Sequence, residues 1–192
     1  MAKDVIIIVE GPQGVGKTTF TNYLREHMSS TDLYRLSGIK DRSESGHKKI
    51  KLKYEKLFEY MENCTDINMI FDRTFFTNEI YSRIGYHEYS FSKTYDKLLE
   101  KLDKLKNIDN YDVYLVILYL TDEKLYSKRV KRNKHQYQKF EAESSIKQQR
   151  EYLKMADEVE RDTKNIKVIR FPNDNEKIFE ENIKKYFSEY MN

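Results

Sequence analysis

The chain has 192 residues, 39% of them hydrophobic, which is enough to fill one core; a disordered polymer is excluded and a single domain over 1–192 is expected. With 35 Lys and Arg against 32 Asp and Glu, the net charge of +3 excludes a partner held by bulk charge alone, so a nucleic-acid partner is not expected. The lone cysteine, Cys64, excludes an internal disulfide and a cysteine-clustered zinc site, and suits a reducing compartment.

The longest apolar runs, Val5 to Val9 and Val113 to Leu120, are far shorter than the roughly 20 residues of a membrane span, and no leader pattern opens the chain. A cytoplasmic protein without a membrane partner is expected.

In chain order, Val5–Val9 reads as a buried strand, followed by a helix over Lys17 to Met28 and a second strand over Asp32 to Leu36. The polar stretch Ser37 to His47, with Gly38 and Gly46, reads as a loop. Leu52, Leu57, Phe58, Met61 and Cys64 recur at helical spacing from Lys48, and Ile67 to Phe71 is the third strand. Helices follow over Phe75 to Ile84 and Lys93 to Lys106, the second with a leucine stripe suited to the core. Val113 to Leu120 is the fourth strand, Asp122 to Lys134 a basic helix and Glu141 to Lys164 a long one. Ile166 to Phe171 is the fifth strand, and Glu176 to Tyr190 a closing helix. Strands alternating with helices predict a parallel α/β sheet covered on both faces.

Directly after the first strand stands Gly11-Pro12-Gln13-Gly14-Val15-Gly16-Lys17-Thr18-Thr19, which fills every fixed position of G-x-x-x-x-G-K-[ST]. Glycines let backbone N–H groups turn onto phosphate oxygens, and the helix starting near Lys17 adds its positive end. Lys17 is expected on the β- and γ-phosphates of ATP, and Thr18 on Mg²⁺. A chance match is disfavoured because the whole chain has only 6 Gly and three of them stand here at the required spacing. A GTPase would need N-K-x-D; Asn133-Lys134-His135-Gln136 lacks the Asp.

At the end of the third strand stand Asp72 and Arg73. In parallel sheets ligands sit beyond the carboxyl ends of the strands, which places Asp72 on Mg²⁺ or its waters and Arg73 between donor and acceptor phosphates. A simple helix cap by Asp72 or Thr74 is the alternative. Lys128 to Lys134 holds five cations in seven positions, in a lid over approximately 128–140. Phosphoryl transfer needs such mobile charge, with Arg132 the leading candidate; a solvated helix face is the alternative.

Three segments resemble the thymidylate kinase and deoxynucleoside kinase family of P-loop phosphotransferases. Glu10 to Thr19 is similar to that family's E-G-x-x-G-x-G-K-[ST]-T opening, and Asp72-Arg73-Thr74 with Thr77 and Tyr81 to its D-R-Y-x-x-S-x-x-A-Y block. Tyr119 to Glu123 with the cations after it resembles the fourth strand and lid. The resemblance implies a three-layer α/β/α sandwich with a five-stranded parallel sheet, ATP and Mg²⁺ as cofactors, and a homodimer. It also implies Glu10 at the substrate, Arg129 and Arg132 near the ATP phosphates, and Arg42, in an E-R-S-like loop, on an acceptor phosphate.

The expected reaction is transfer of the ATP γ-phosphate to a deoxynucleoside 5′-monophosphate. A nucleoside hydroxyl would instead need a carboxylate base, for which Asp41 or Glu44 is available, so a deoxynucleoside kinase is the alternative. A polynucleotide kinase and a non-catalytic nucleotide-binding regulator are further alternatives. Two departures leave the base preference open: Gln13 stands where thymidylate kinases have Asp, and no Arg occurs between Lys48 and Asn63. Phe75 and Tyr81 are candidates to stack on a base, and plain core is the competing role for aromatics at helical spacing.

Overall fold

A computed structural model describes residues 3–132 and 141–192, without the side chains of residues 130–132 and 176–178. The strands are β1 (Asp4–Glu10), β2 (Thr31–Arg35), β3 (Asn68–Asp72), β4 (Tyr111–Tyr119) and β5 (Ile166–Pro172). All neighbours pair in parallel, in the order β2-β3-β1-β4-β5. Seven α-helices occur among the described residues: α1 (Lys17–His27), α2 (Glu44–Asn63), α3 (Phe75–Arg83), α4 (Ser92–Asp103), α5 (Lys124–Arg132), α6 (Ala142–Asp162) and α7 (Glu176–Phe187).

A strand turns alternate side chains to opposite faces, and β1 is buried on both. Val5, Ile7 and Val9 join Phe20 and Leu24 of α1 and Ile183 and Phe187 of α7 in one core. Ile6 and Ile8 join Ile50 and Phe58 of α2, Phe76 of α3, Leu98 of α4 and Met155 of α6 in the other. The expected α/β/α sandwich with a five-stranded parallel sheet is what the chain forms. The connections that follow the neighbouring strands β1 and β3 cover opposite faces of the sheet, α1 after β1 and α3 after β3. Because β1 and β3 are neighbours, a crevice opens between their carboxyl ends.

The element order is as expected, but α2 starts at Glu44 rather than Lys48. Ser43 stands at its N-cap position, and the Asp41 carboxylate accepts hydrogen bonds from both Ser43 N (3.0 Å) and Ser43 Oγ (2.5 Å). Gly46, expected in a loop, lies in the first turn, where a Cβ would collide with the carbonyl oxygen of Asp41. The glycine is there because the incoming chain crosses the helix at that point. The leucine stripe of α4 is core: Leu98 and Leu102 are buried, as is Leu105 just after the helix. No helix among the described residues is long and apolar enough to cross a membrane.

Candidate active site

The crevice is lined first by the loop from Gly11 to Gly16. Three of its residues have positive φ: Gly11 (143°), Gly14 (79°) and Gly16 (100°). Gly16 leads directly into α1, so a phosphate in the loop would meet the positive end of an 11-residue helix. The Lys17 ammonium is buried and donates to the carbonyls of Gly11 (2.6 Å) and Pro12 (2.7 Å). Burial pushes its pKa down to about 7, with Arg73 acting in the same direction and Asp72 and Glu10 opposing. Thr18 and Thr19 are exposed in the first turn of α1.

The outer side of this loop is held from two directions. Arg129 of α5 donates to the carbonyls of Gly14 (3.2 Å), Val15 (3.0 Å) and Asn173 (2.6 Å). Asn173, which follows β5, donates from Nδ2 to Val15 O at 2.7 Å. Gln13 N donates to Gln148 Oε1 of α6 at 3.3 Å, and Gln13 Nε2 donates to Tyr81 OH at 3.5 Å.

Glu10, expected at the substrate, is fully buried. One carboxylate oxygen accepts from Thr74 N (2.5 Å) and Thr74 Oγ1 (3.1 Å), the other from Thr77 Oγ1 (2.6 Å) and Tyr152 OH (3.1 Å). Burial pushes its pKa up, opposed by the Thr77 and Thr74 hydrogen bonds and by Lys17. With both oxygens occupied, Glu10 shapes the crevice by fixing the turn after β3.

That turn carries Asp72 and Arg73. Asp72 is buried, and Arg35 Nε at the end of β2 lies 3.8 Å from its carboxylate. Arg73 has φ 71°, a left-handed conformation that is uncommon for a residue with a side chain and costs on the order of 1–3 kcal/mol. Its N–H donates to Val9 O (3.1 Å), which brings it level with Glu10 across the crevice. Burial works against the guanidinium charge, and Tyr81, Tyr152, Asp72 and Glu10 more than offset it. Thr74 stands at the N-cap position of α3, yet its hydroxyl serves Glu10 and makes no cap hydrogen bond. The alternative of a Thr74 cap therefore does not account for this turn.

A magnesium ion needs hard oxygen ligands in octahedral geometry, usually with several waters retained. The exposed Thr18 hydroxyl and the Asp72 carboxylate are of that type, and the crevice can add phosphate oxygens, so the donor set fits Mg²⁺ with substrate present. Among the described residues no group of three His, Cys, Asp or Glu could hold a metal on its own.

The other expected residues are spread more widely. Arg42, before α2, donates to Tyr86 OH at 2.5 Å and lies 3.9 Å from the centroid of that ring. Tyr86 packs against Tyr81 (5.1 Å), so Arg42, Tyr86, Tyr81 and Gln13 form a chain of contacts from the loop before α2 to the phosphate loop. Phe75 is 1% exposed and stacks on Phe76 at 4.4 Å, which places its ring in the core. Arg132 closes α5, but its side chain, like the lid cations from 133 onward, lies outside the described residues.

Sequence reasoning missed Arg35, Gln148, Tyr152 and Asn173. Arg35 and Asn173 carried a usable signal: they stand at the carboxyl ends of β2 and β5, the end of the sheet where ligands gather.

Residues 7–154 match the family model AAA_18, described as an AAA domain. Comparison with curated proteins finds no match. Among solved structures, the chain is similar to the YorR protein of Bacillus subtilis, solved with phosphorylated GDP: TM-score 0.64 and 17% identity, over 97% of this chain and 99% of that one. Thymidylate kinase of Candida albicans gives TM-score 0.64 and 15% identity, over 98% and 93% of the two chains. Deoxyadenosine kinase of M. mycoides, solved with dCMP and dCDP, gives TM-score 0.58 and 14% identity, over 95% and 99%. At such identities the likeness establishes the fold. The family match covers most of the chain, and the chain belongs to the AAA-domain family described by that model.

Proposed function

We propose that the protein is an ATP-dependent phosphotransferase that moves the γ-phosphate to a deoxynucleoside 5′-monophosphate. The carrying observation is Arg73: a guanidinium held in left-handed backbone at the end of β3, level with Glu10 and close enough to Lys17 to depress its pKa. A phosphoryl group in flight is loose and anionic, so catalysis consists mainly of positioning and positive charge. Lys17 and the backbone N–H groups of residues 13–19 hold the ATP phosphates. Arg73 spans donor and acceptor oxygens, Arg42 reaches the acceptor phosphate after leaving Tyr86, and Arg132 adds charge from the lid.

Mg²⁺, held by Thr18 and Asp72 with phosphate oxygens, would neutralise the developing charge. The remaining steps belong to the chain. Phosphates draw the Lys17 ammonium off the carbonyls of Gly11 and Pro12, and Glu10 keeps Arg73 in place through Thr74.

The state of the nearby carboxylates supports a monophosphate acceptor. A nucleoside hydroxyl needs a base, and Asp41 is a poor one: the Ser43 hydroxyl and N–H, with Lys49, hold its pKa down to about 2. Glu44 lies 3.2 Å from His47. Glu10 is sealed by four hydrogen bonds. A monophosphate brings its own nucleophilic oxygen and needs cations instead. The similar structures of a thymidylate kinase and a deoxyadenosine kinase represent the two acceptor classes. ADP release with ATP and Mg²⁺ across deoxynucleosides and their 5′-monophosphates distinguishes them. Turnover on monophosphates is expected, and turnover on nucleosides alone would transfer the assignment to a deoxynucleoside kinase.

A further inference from the structure

The outer side of the phosphate loop raises a question separate from its phosphate-facing side. A loop that turns its N–H groups onto an anion turns carbonyls the other way, and each of those needs a donor. Lys17 supplies the carbonyls of Gly11 and Pro12. Phe20 N supplies Gly16 O at 3.1 Å within α1. The carbonyls of Gly14 and Val15 receive theirs from two side chains more than 110 residues away, Arg129 (separations 115 and 114) and Asn173 (158).

The two donors are also tied to each other, since Arg129 Nη2 donates to Asn173 O at 2.6 Å and Asn173 N donates to Tyr119 O at 2.9 Å. The contact is tight: a Cβ on Gly16 would stand 2.5 Å from Asn173 Nδ2 and 3.9 Å from Arg129 Nη1. Gly16 is therefore glycine for two reasons, its φ of 100° and the side chains pressed against it.

We propose that Arg129 and Asn173 form a clasp that keeps the phosphate loop in its phosphate-receiving shape, and that Arg129 serves ATP binding through this clasp rather than by contact with the nucleotide. Both are then positioning residues. The clasp links α5 and the end of β5 to the phosphate loop. Both elements arise at the carboxyl ends of the strands on the far side of β1 from β3, so the donor phosphates are braced independently of the acceptor-side turn.

This proposal rests on the reading of the loop as the ATP site, and the test separates the two. Hydrogen exchange of the amides of residues 13–16 is measured without nucleotide, and ATP binding is measured on the same samples. Asn173→Ala and Arg129→Gln should each speed that exchange by about tenfold and weaken ATP binding by a similar factor. Exchange in the strands should stay unchanged. The double variant should fall short of the product of the single effects, because both side chains hold Val15 O. Arg129→Lys, which can reach one carbonyl, should lie between wild type and Arg129→Gln. Weaker ATP binding in Arg129→Gln with unchanged loop exchange would overturn the proposal in favour of direct contact. Asn173→Ala with neither effect would also overturn it. Wild-type protein that fails to bind ATP would count against the proposed function, and the exchange data would still decide the clasp.

Discussion

The donor and acceptor sides of the crevice are built differently. On the proposed donor side, nine consecutive residues from Gly11 to Thr19 form the loop and helix start, Lys17 among them bonds back to the loop's own carbonyls, and Arg129 and Asn173 brace it from elsewhere in the chain. On the acceptor side, single residues from separate segments meet, Arg42 on Tyr86, Tyr86 on Tyr81 and Tyr81 on Gln13, and Arg42 and Tyr86 are largely exposed. Backbone binds phosphate with no regard to what the phosphate is attached to. Side chains on surface loops can change identity without disturbing the sheet, and in the proposed reaction these would decide which acceptor enters. One fold can therefore hold a fixed donor site beside a variable acceptor site.

Arg73 is where the two sides meet, and replacing it is the most damaging test of their division of labour. Arg73→Ala should lower turnover by about 10²-fold or more, on the order of 3 kcal/mol of transition-state stabilisation, with ATP affinity nearly kept. Steady-state kinetics with direct ATP binding checks this, and parallel loss of both would mean that Arg73 belongs to the donor side alone.

Glu10 comes next, because it connects β1, just before the phosphate loop, to the turn that carries Arg73. In Glu10→Gln one oxygen becomes an NH₂ facing hydrogens from Thr74 or from Thr77 and Tyr152, and such a mismatch costs about 1–3 kcal/mol. Denaturant unfolding should show that loss, and turnover should fall with it as Arg73 loses its support.

Arg42→Ala sharpens the contrast from the exposed side. It should raise the acceptor KM by about tenfold while leaving ATP affinity and thermal stability unchanged, since its guanidinium rests on an exposed tyrosine.

The smallest expected effect is a proton. Burial holds Lys17 at about 7 without ligand, and bound phosphates stabilise its charged form and raise its pKa. Above pH 7, ATP binding should therefore take up a proton, and affinity should fall as pH rises through that value. Calorimetry at pH 8 in buffers of different ionisation enthalpy reads the uptake directly. The same shift has a folding counterpart. The unfolded chain, with an ordinary lysine, binds more protons between pH 7 and about 10.4, so this residue's contribution to stability improves as pH rises across that window.

How far the sequence could be read follows the same division. The five strands, their order along the chain and the phosphate loop were all legible, because buried β-branched runs and glycine spacing are local signals. The start of α2 was not: Gly46 read as a loop residue until the carbonyl of Asp41 was seen to press against it. The Glu10 cluster was beyond reach for the same reason, as its partners lie 64 to 142 residues away. For Phe75, two residues after Arg73, the sequence leaves base stacking and plain core both open, and the ring packs against Tyr54 and Phe58 of α2 and Tyr95 of α4 within the core. Pattern identifies residues that act through their own backbone. Residues that act by meeting others become visible only once the sheet brings them together.

The central claim is that the acceptor arrives with a phosphate already attached. Incubation with γ-labelled ATP and Mg²⁺, together with a deoxynucleoside 5′-monophosphate and the corresponding deoxynucleoside in separate reactions, tests it most directly. Label should appear in a deoxynucleoside diphosphate, with none in a monophosphate. Label in a monophosphate made from the free nucleoside, with the 5′-monophosphate left unlabelled, would contradict the account.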